Sequence, residues 1–387
     1  MNQIAEHYRG YKIRLYPTKE QEILLWKHIG CCRFVWNYML ELEEIRRRNN
    51  EKFLNAFGLN LKIVSLKERY PWLGEVSYSS LQLTCRDLFM AYKKFFNKKA
   101  KHPKFKAKKA EKQSFPTRKD RLRFLDSKFV KISKIGKIYY KTDYQFTNLT
   151  KIVNSRISFK NKKWILSFET KCENQARELT NCSMGIDLGI KELAVVEFDG
   201  QCKVYHNINK SKKIKKLNKK LKYYQRKVSR QYRSNSKNKR EKGCKWEKSK
   251  NIVKTENKIR KIYVKIANIR HNYIHQTTHE LVEMLPKQII MENLKISNMI
   301  KNRYLSKAIS EMCWHEFIRQ MKYKCEWNGI EFIQADRFYP SSKTCSCCGN
   351  IKKDLRLSDR TYICDICGLT IDRDYNAAIN LSKYVVQ

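Results

Sequence analysis

Residues 11–16, Tyr-Lys-Ile-Arg-Leu-Tyr, alternate apolar and basic side chains, the period-two signature of a strand with one wet face. Pro17 stops it, and Thr18-Lys-Glu-Gln21 reads as a capping box opening a helix. Ile23, Trp26, Ile29, Phe34, Val35 and Met39 form the expected inward face of that helix. A second helix is expected from Ser80 to Lys98, with Leu81, Cys85, Leu88, Phe89, Tyr92, Phe95 and Phe96 packed inward rather than offered to bases. Short alternating segments follow at Leu122–Leu125, Phe129–Ile132 and Lys137–Lys141, then a hairpin pairs Arg156–Lys160 with Trp164–Glu169 around Asn161-Lys162. Together they predict a small barrel or curled sheet, which the strand near Lys12 would join. The helices of residues 18–100 then become an insertion.

A new unit starts near Asn181. Met184–Ile190 is a short apolar strand carrying Asp187, Leu193–Phe198 a second strand, Asp199-Gly200 a hairpin turn, and Cys202–His206 a third strand. Over 210–285, Ile214, Leu217, Leu221, Tyr224 and Val228 keep a three-four spacing. So do Ile252, Ile259, Ile262, Ile266, Ile269 and Tyr273, with a polar slot at Glu256. A polar stretch, Gln231–Ser249, broken by Gly243, separates the two runs, predicting an antiparallel helical hairpin with a narrow apolar seam and basic outer faces. His271, His275 and His279 recur every four residues; with no acid or cysteine to complete a metal site, they read as a packed helix face. Gln288–Glu292 is a strand ending in a carboxylate. A helix from Leu305 to Asn328, a strand Ile330–Ala335 ending at Asp336, and a last helix from Tyr375 to Tyr384 complete the pattern.

Charge sharpens this picture. Lys and Arg outnumber Asp and Glu by 83 to 37 over 387 residues, a net charge of +46 that repels itself in a compact state. The basic residues alternate with aromatics along most of the chain, which favours nucleic acid over a membrane patch. The run from Lys98 to Lys112 is the densest, and we read it as phosphate-contacting rather than merely solvated. No run of about 18 apolar residues predicts a membrane span, and the first residues lack a signal-peptide pattern. Ten of the fourteen cysteines scatter without regular pairing, which suits a reducing, cytoplasmic setting.

The remaining cysteines carry chemistry. Cys345-x-x-Cys348 and Cys364-x-x-Cys367, fifteen residues apart, match the spacing of a tetrahedral zinc ribbon with four sulfurs and no open position, hence a structural Zn²⁺. Cys347 is an extra thiol inside the first knuckle. Three acids arrive on separate elements: Asp187 on a first strand, Glu292 at the end of a later one, and Asp374 beside the last helix. Carboxylates on rigid elements suit a pair of hard cations, Mg²⁺ or Mn²⁺, that bind the attacking water and leaving oxygen of a phosphodiester. Their order along the chain resembles that of ribonuclease H and RuvC nucleases.

Gly185-Ile-Asp187-Leu-Gly, Met291-Glu292-Asn-Leu, Ser341-Ser-Lys-Thr-Cys345-Ser-x-Cys348-Gly and Asp372-Arg-Asp374-x-Asn376-Ala-Ala resemble the TnpB family of transposon-encoded, RNA-guided DNA nucleases related to type V CRISPR effectors. Tyr11–Gln21 and Pro103-Lys-Phe-Lys resemble it too. The resemblance implies an α/β multidomain chain. An RNase H-like RuvC nuclease domain (181–343 and 369–387) would carry an inserted zinc ribbon (344–368) and a basic helical hairpin (207–285). A wedge β-barrel (1–17 and 100–180) would carry a helical recognition domain (18–99). It makes Asp187, Glu292 and Asp374 the catalytic, Mg²⁺-binding acids, Asp374 being preferred to Asp372. Lys104, Lys106, Lys108, Lys109, Lys212, Lys213, Lys216, Lys220 and Arg226 become candidate nucleic-acid contacts. The implied partners are a guide RNA from the transposon end and double-stranded target DNA, one chain per RNA, in a bacterial or archaeal cytoplasm at the nucleoid. The competing functions are a nuclease-inactive RNA-guided repressor, which loss of an acid would announce, and a transposase acting directly on DNA ends, for which no nucleophilic tyrosine motif is present.

Overall fold

The structure is a computed structural model that describes residues 6–142, 144, 146, 152–173, 177–237, 248–356 and 359–385. It divides into two units, Met1–Glu173 and Asn174–Gln387. No described helix is long and apolar enough to cross a membrane.

In the first unit, β1 (Glu6–Tyr16) buries Ile13 and Leu15 and turns Lys12 and Arg14 outward, as the alternation predicts. Helix α1 (Lys19–Arg48) begins with the expected box: the Gln21 backbone N–H donates to the Thr18 hydroxyl, and the Thr18 N–H to the Gln21 side chain. Its buried face runs through Leu25, Ile29, Cys32, Val35, Met39 and Leu40. Ile23 lies outside that stripe, and Trp26 sits at its margin, edge-on to Phe159 and Trp164. Helix α2 (Ala56–Arg69) has no counterpart in the sequence expectation; α3 (Tyr78–Phe96) does, although Phe96 is left exposed.

The chain then builds β2 (Gln113–Thr117), β3 (Leu122–Phe124), β4 (Phe129–Ile132), β5 (Gly136–Lys141), β6 (Ile152–Lys160) and β7 (Lys163–Glu173). The sheet order is β2-β6-β7-β1-β5-β4-β3, antiparallel throughout, with β1 at its centre. The helices are thus inserted between the first strand and the rest of its sheet. Asn161 and Lys162 both take positive φ (51° and 61°), the tight turn that a two-residue hairpin requires. Of the barrel or curled sheet expected from the sequence, strand pairing among the described residues gives the open sheet: β2 and β3 remain edges. Pro116 in β2 has no N–H to donate outward, which suits an edge strand.

The second unit opens with β8 (Ser183–Leu188), β9 (Glu192–Phe198) and β10 (Gln201–His206). Helices α4 (Lys212–Lys237) and α5 (Lys250–Glu283), β11 (Gln288–Met291), α6 (Ile296–Met299), α7 (Ser306–Met312), α8 (Trp314–Asn328) and β12 (Glu331–Gln334) follow. After them come β13 (Thr361–Ile363), β14 (Thr370–Asp372) and α9 (Arg373–Ser382). The central sheet has the order β10-β9-β8-β11-β12. Strand β9 is antiparallel to its neighbours, while β11 runs parallel to both β8 and β12.

Helices α4 and α5 form the expected seam: Leu221, Ile262 and Ile266 are buried, with Leu217, Tyr224 and Ile259 packed beside them. The polar slot is used, because Glu256 accepts from the Tyr232 hydroxyl (2.5 Å) and from Lys248 Nζ (2.8 Å). Gly243, the expected breaker, lies outside the described residues. The histidine row meets three separate partners: His271 faces Glu316, His275 lies beside Lys324 Nζ, and His279 faces Glu283.

The helix expected from Leu305 to Asn328 is interrupted. Cys313 sits in the left-handed region (φ 56°, ψ 35°), separating α7 from α8. On a continuous helix, residues 312 and 314 would point to opposite sides. The break instead lets both Met312 and Trp314 enter the core, outweighing the cost of a non-glycine residue at positive φ.

Candidate active centre and zinc ribbon

Asp187 is the fifth residue of β8, and β11 pairs with β8 in parallel register with Met291 opposite Ile186. The next residue, Glu292, is therefore level with Asp187 at the carboxyl end of the two adjacent strands. The third acid comes from α9, which packs across β8. Gly185 makes this possible, since a Cβ at that position would collide with the backbone of Ala378 and Ser382. Ala377 and Ala378 complete the close approach, both fully buried.

The two acids of the Asp-Arg-Asp motif divide their work. Asp372 is exposed and caps α9, its carboxylate accepting from the backbone N–H of Asp374 (2.9 Å) and Tyr375 (3.1 Å). Asp374 is half-buried and takes a charged hydrogen bond from Arg373 (3.1 Å). Burial and the carboxylates of Glu292 and Asp374 push the Asp187 pKa well above the usual range. Glu292 is also raised by burial and by Asp374, against the opposing effect of the Ser341 hydroxyl, which donates to it at 2.7 Å. Three elements therefore concentrate negative charge at one end of the sheet, an arrangement that a cation would relieve. The donors are all oxygen, which suits Mg²⁺ or Mn²⁺.

The cysteines behave differently. The sulfurs of Cys345, Cys348, Cys364 and Cys367 all lie within 4.8 Å of one another, with Cys345–Cys367 and Cys348–Cys364 at 3.5 Å. Four thiolates around one tetrahedral Zn²⁺ fit this spacing. Each knuckle closes the same way: Gly349 (φ 77°) and Gly368 (φ 70°) donate back to Cys345 and Cys364. Among the described residues the module's core is Cys345, Tyr362 and Cys364 with Leu355, Leu369 and Ile371 packed beside it, too little apolar surface to hold the fold without a metal. Cys347 is exposed and outside the cluster. Accordingly, Cys347→Ser is expected to keep the zinc content of the wild type and Cys364→Ser to lose most of it, as atomic absorption of the purified chains would show.

Of the basic candidates, Lys104, Lys108 and Lys109 are exposed, as are Lys212, Lys213, Lys216, Lys220 and Arg226 along α4. Lys106 differs. Its ammonium lies 3.7 Å from the centroid of the Trp36 ring, and burial lowers its pKa to about 8. Its backbone is clamped on both sides by Asn37, and the Trp36 indole donates to the Lys104 carbonyl, so this basic run is anchored to α1. Gly185, Ser341 and Asn376 stand inside the motifs quoted above, their one signal in the sequence, and Asn380 lies outside them.

Three family descriptions match the chain: "Helix-turn-helix domain" over residues 7–52, "Probable transposase" over 167–303, and "Cas12f1-like, TNB domain" over 314–381. Over 96% of its length the chain is 28% identical to a Streptomyces pristinaespiralis protein named as an RNA-guided DNA endonuclease, covering 88% of that protein. Over the same share it is 29% identical to InsQ of Escherichia coli K12, which bears the same description, covering 91% of it. The chain resembles the TnpB family over nearly its whole length. The chain also resembles the solved structure of the mini RNA-guided endonuclease CRISPR-Cas phi3, with a TM-score of 0.53 at 10% identity over 98% of this chain and 92% of that one. At that identity the likeness concerns the mixed α/β fold.

Proposed function

We propose that this protein is a TnpB-family RNA-guided DNA endonuclease with a RuvC-type centre formed by Asp187, Glu292 and Asp374. The observation that carries the reading is the parallel β8–β11 register, which sets Glu292 level with Asp187 while α9 packs on Gly185. The strand order β10-β9-β8-β11-β12, with only β9 reversed, supports an RNase H-like nuclease fold, and the relatives' names support RNA guidance and a DNA substrate. The three acids would hold Mg²⁺ or Mn²⁺, which supplies an activated water and neutralises the leaving oxygen. Asp372 keeps the first turn of α9 formed, and Ser341 fixes one Glu292 oxygen while leaving the other available. The exposed lysines of α4 and of the 98–112 run would bind phosphates, while base pairing with the guide reads sequence. The seven-stranded sheet would serve as the wedge and its inserted helices as the recognition domain, with one chain per guide RNA acting at the nucleoid.

The test is to purify the protein from cells carrying its flanking transposon DNA. A defined RNA should copurify, and Mg²⁺-dependent cleavage should follow the guide when the guide segment is changed. Cleavage indifferent to the guide would overturn the reading. A comparison of two neighbouring acids refines it. Asp372→Ala is expected to lower stability by about 1 kcal/mol, the usual effect of losing a helix cap, and to keep most cleavage. Asp374→Ala is expected to keep stability and lose cleavage. Denaturant titration and a cleavage assay on both variants separate the roles.

A further inference from the structure

We propose that Ser341, Asn376 and Asn380 are positioning residues through which the root of the zinc ribbon sets the spacing of Glu292 and Asp374. This inference rests on the nuclease reading above. Ser341 and Asn380 are buried to 2% and 5% exposure, and Asn376 completely. Asn376 and Asn380 lie one turn apart on α9, on the face turned to the ribbon root. The Asn380 amide donates to the carbonyls of Ser341 (2.8 Å) and Thr344 (2.6 Å). The Asn376 amide donates to Thr344 (2.7 Å), and its carbonyl accepts from the Ser346 backbone N–H (3.0 Å). Tyr339 donates from its hydroxyl to the Asn380 carbonyl, so residues 339–346 are held on α9 from both ends.

The same segment reaches the other acid through the Ser341 hydroxyl, 2.7 Å from Glu292 Oε1. One rigid strap therefore ties α9, which carries Asp374, to the acid that follows β11, and the first zinc knuckle begins where the strap ends. Each buried amide here has partners, so a displaced ribbon would leave Asn376 and Asn380 unsatisfied, a penalty that favours one register. Partners of this kind orient metal ligands, and their loss weakens metal binding by about tenfold or more.

The experiment uses the full chain with Ser341→Ala, Ser341→Thr and Asn380→Leu, and Asp187→Ala as a control that removes the metal site. Two readouts are taken: the Mn²⁺ concentration giving half-maximal rise in melting temperature without RNA, and the Mg²⁺ concentration giving half-maximal guided cleavage. Ser341→Ala and Asn380→Leu are each expected to raise both by roughly tenfold, with wild-type zinc content and target binding. Ser341→Thr, which keeps the hydroxyl, should restore the wild-type requirement. A wild-type metal requirement in Ser341→Ala, or a Thr variant as defective as the Ala one, overturns the proposal. Should the wild type cut no guided target, the nuclease reading fails while the Mn²⁺ titration still reports on the strap.

Discussion

Asp187→Ala is expected to reduce guided cleavage by about 10³-fold or more while RNA and target binding stay within about twofold of wild type. Asp187 is the acid raised most clearly by its surroundings, since burial and the Glu292 and Asp374 carboxylates all disfavour its charge. An acid whose pKa is raised by folding opposes stability progressively as pH climbs from its unfolded value to its folded one. Without a cation, therefore, the buried carboxyl costs stability as pH rises above its unfolded value, and its removal should leave the metal-free melting temperature unchanged or higher. A variant that melts as well as the wild type, binds target and does not cut would assign Asp187 to chemistry. A variant that cuts at the wild-type rate would remove the residue from the centre.

Gly185→Ala is the second large effect, and it acts through packing. The added methyl meets backbone atoms of α9, which have no rotamer to move aside. Forced overpacking of this kind costs about 3 kcal/mol, and the simplest relief is for α9 to lift from β8. Because α9 carries Asp374, the variant should lose cleavage and, at the same time, hydrogen-exchange protection along Arg373–Ser382. The substitution leaves every acid in place, so an active Gly185→Ala protein would show that α9 need not sit on β8 during catalysis. Asn380→Leu provides an internal comparison, since it disturbs the same helix from the ribbon side.

Local chemistry made some of this fold legible in the sequence. The Thr18–Gln21 box, the Asn161-Lys162 and Asp199-Gly200 turns and the paired knuckles are written in residues that few other conformations would use. Asp187, Glu292 and Asp374 are legible as candidates because each stands at the edge of a strongly patterned element. Helix α2 was hidden because Phe57, Leu61 and Val64 are exposed, spoiling the periodicity set by buried Leu59, Ile63 and Leu66. The break at Cys313 carries no glycine or proline to announce it; burial of both flanking side chains decides it. Ile23 and Trp26 show the converse, apolar residues whose place on the helix edge only the neighbouring strands determine. Ser341 and Asn380 look like ordinary polar residues until tertiary contacts supply their partners.

The parallel register of β8 and β11 also has a consequence for synthesis. Strand β11 lies between β8 and β12 although α4 and α5 separate it from β8 along the chain. Contacts so distant in sequence form late, and chains emerging from the ribosome fold from their N-terminal end. A nascent chain can complete the Met1–Glu173 unit well before its two central acids are neighbours. The third acid waits for α9, after the ribbon cysteines have appeared. A partly made protein would therefore not yet hold the proposed three-acid centre.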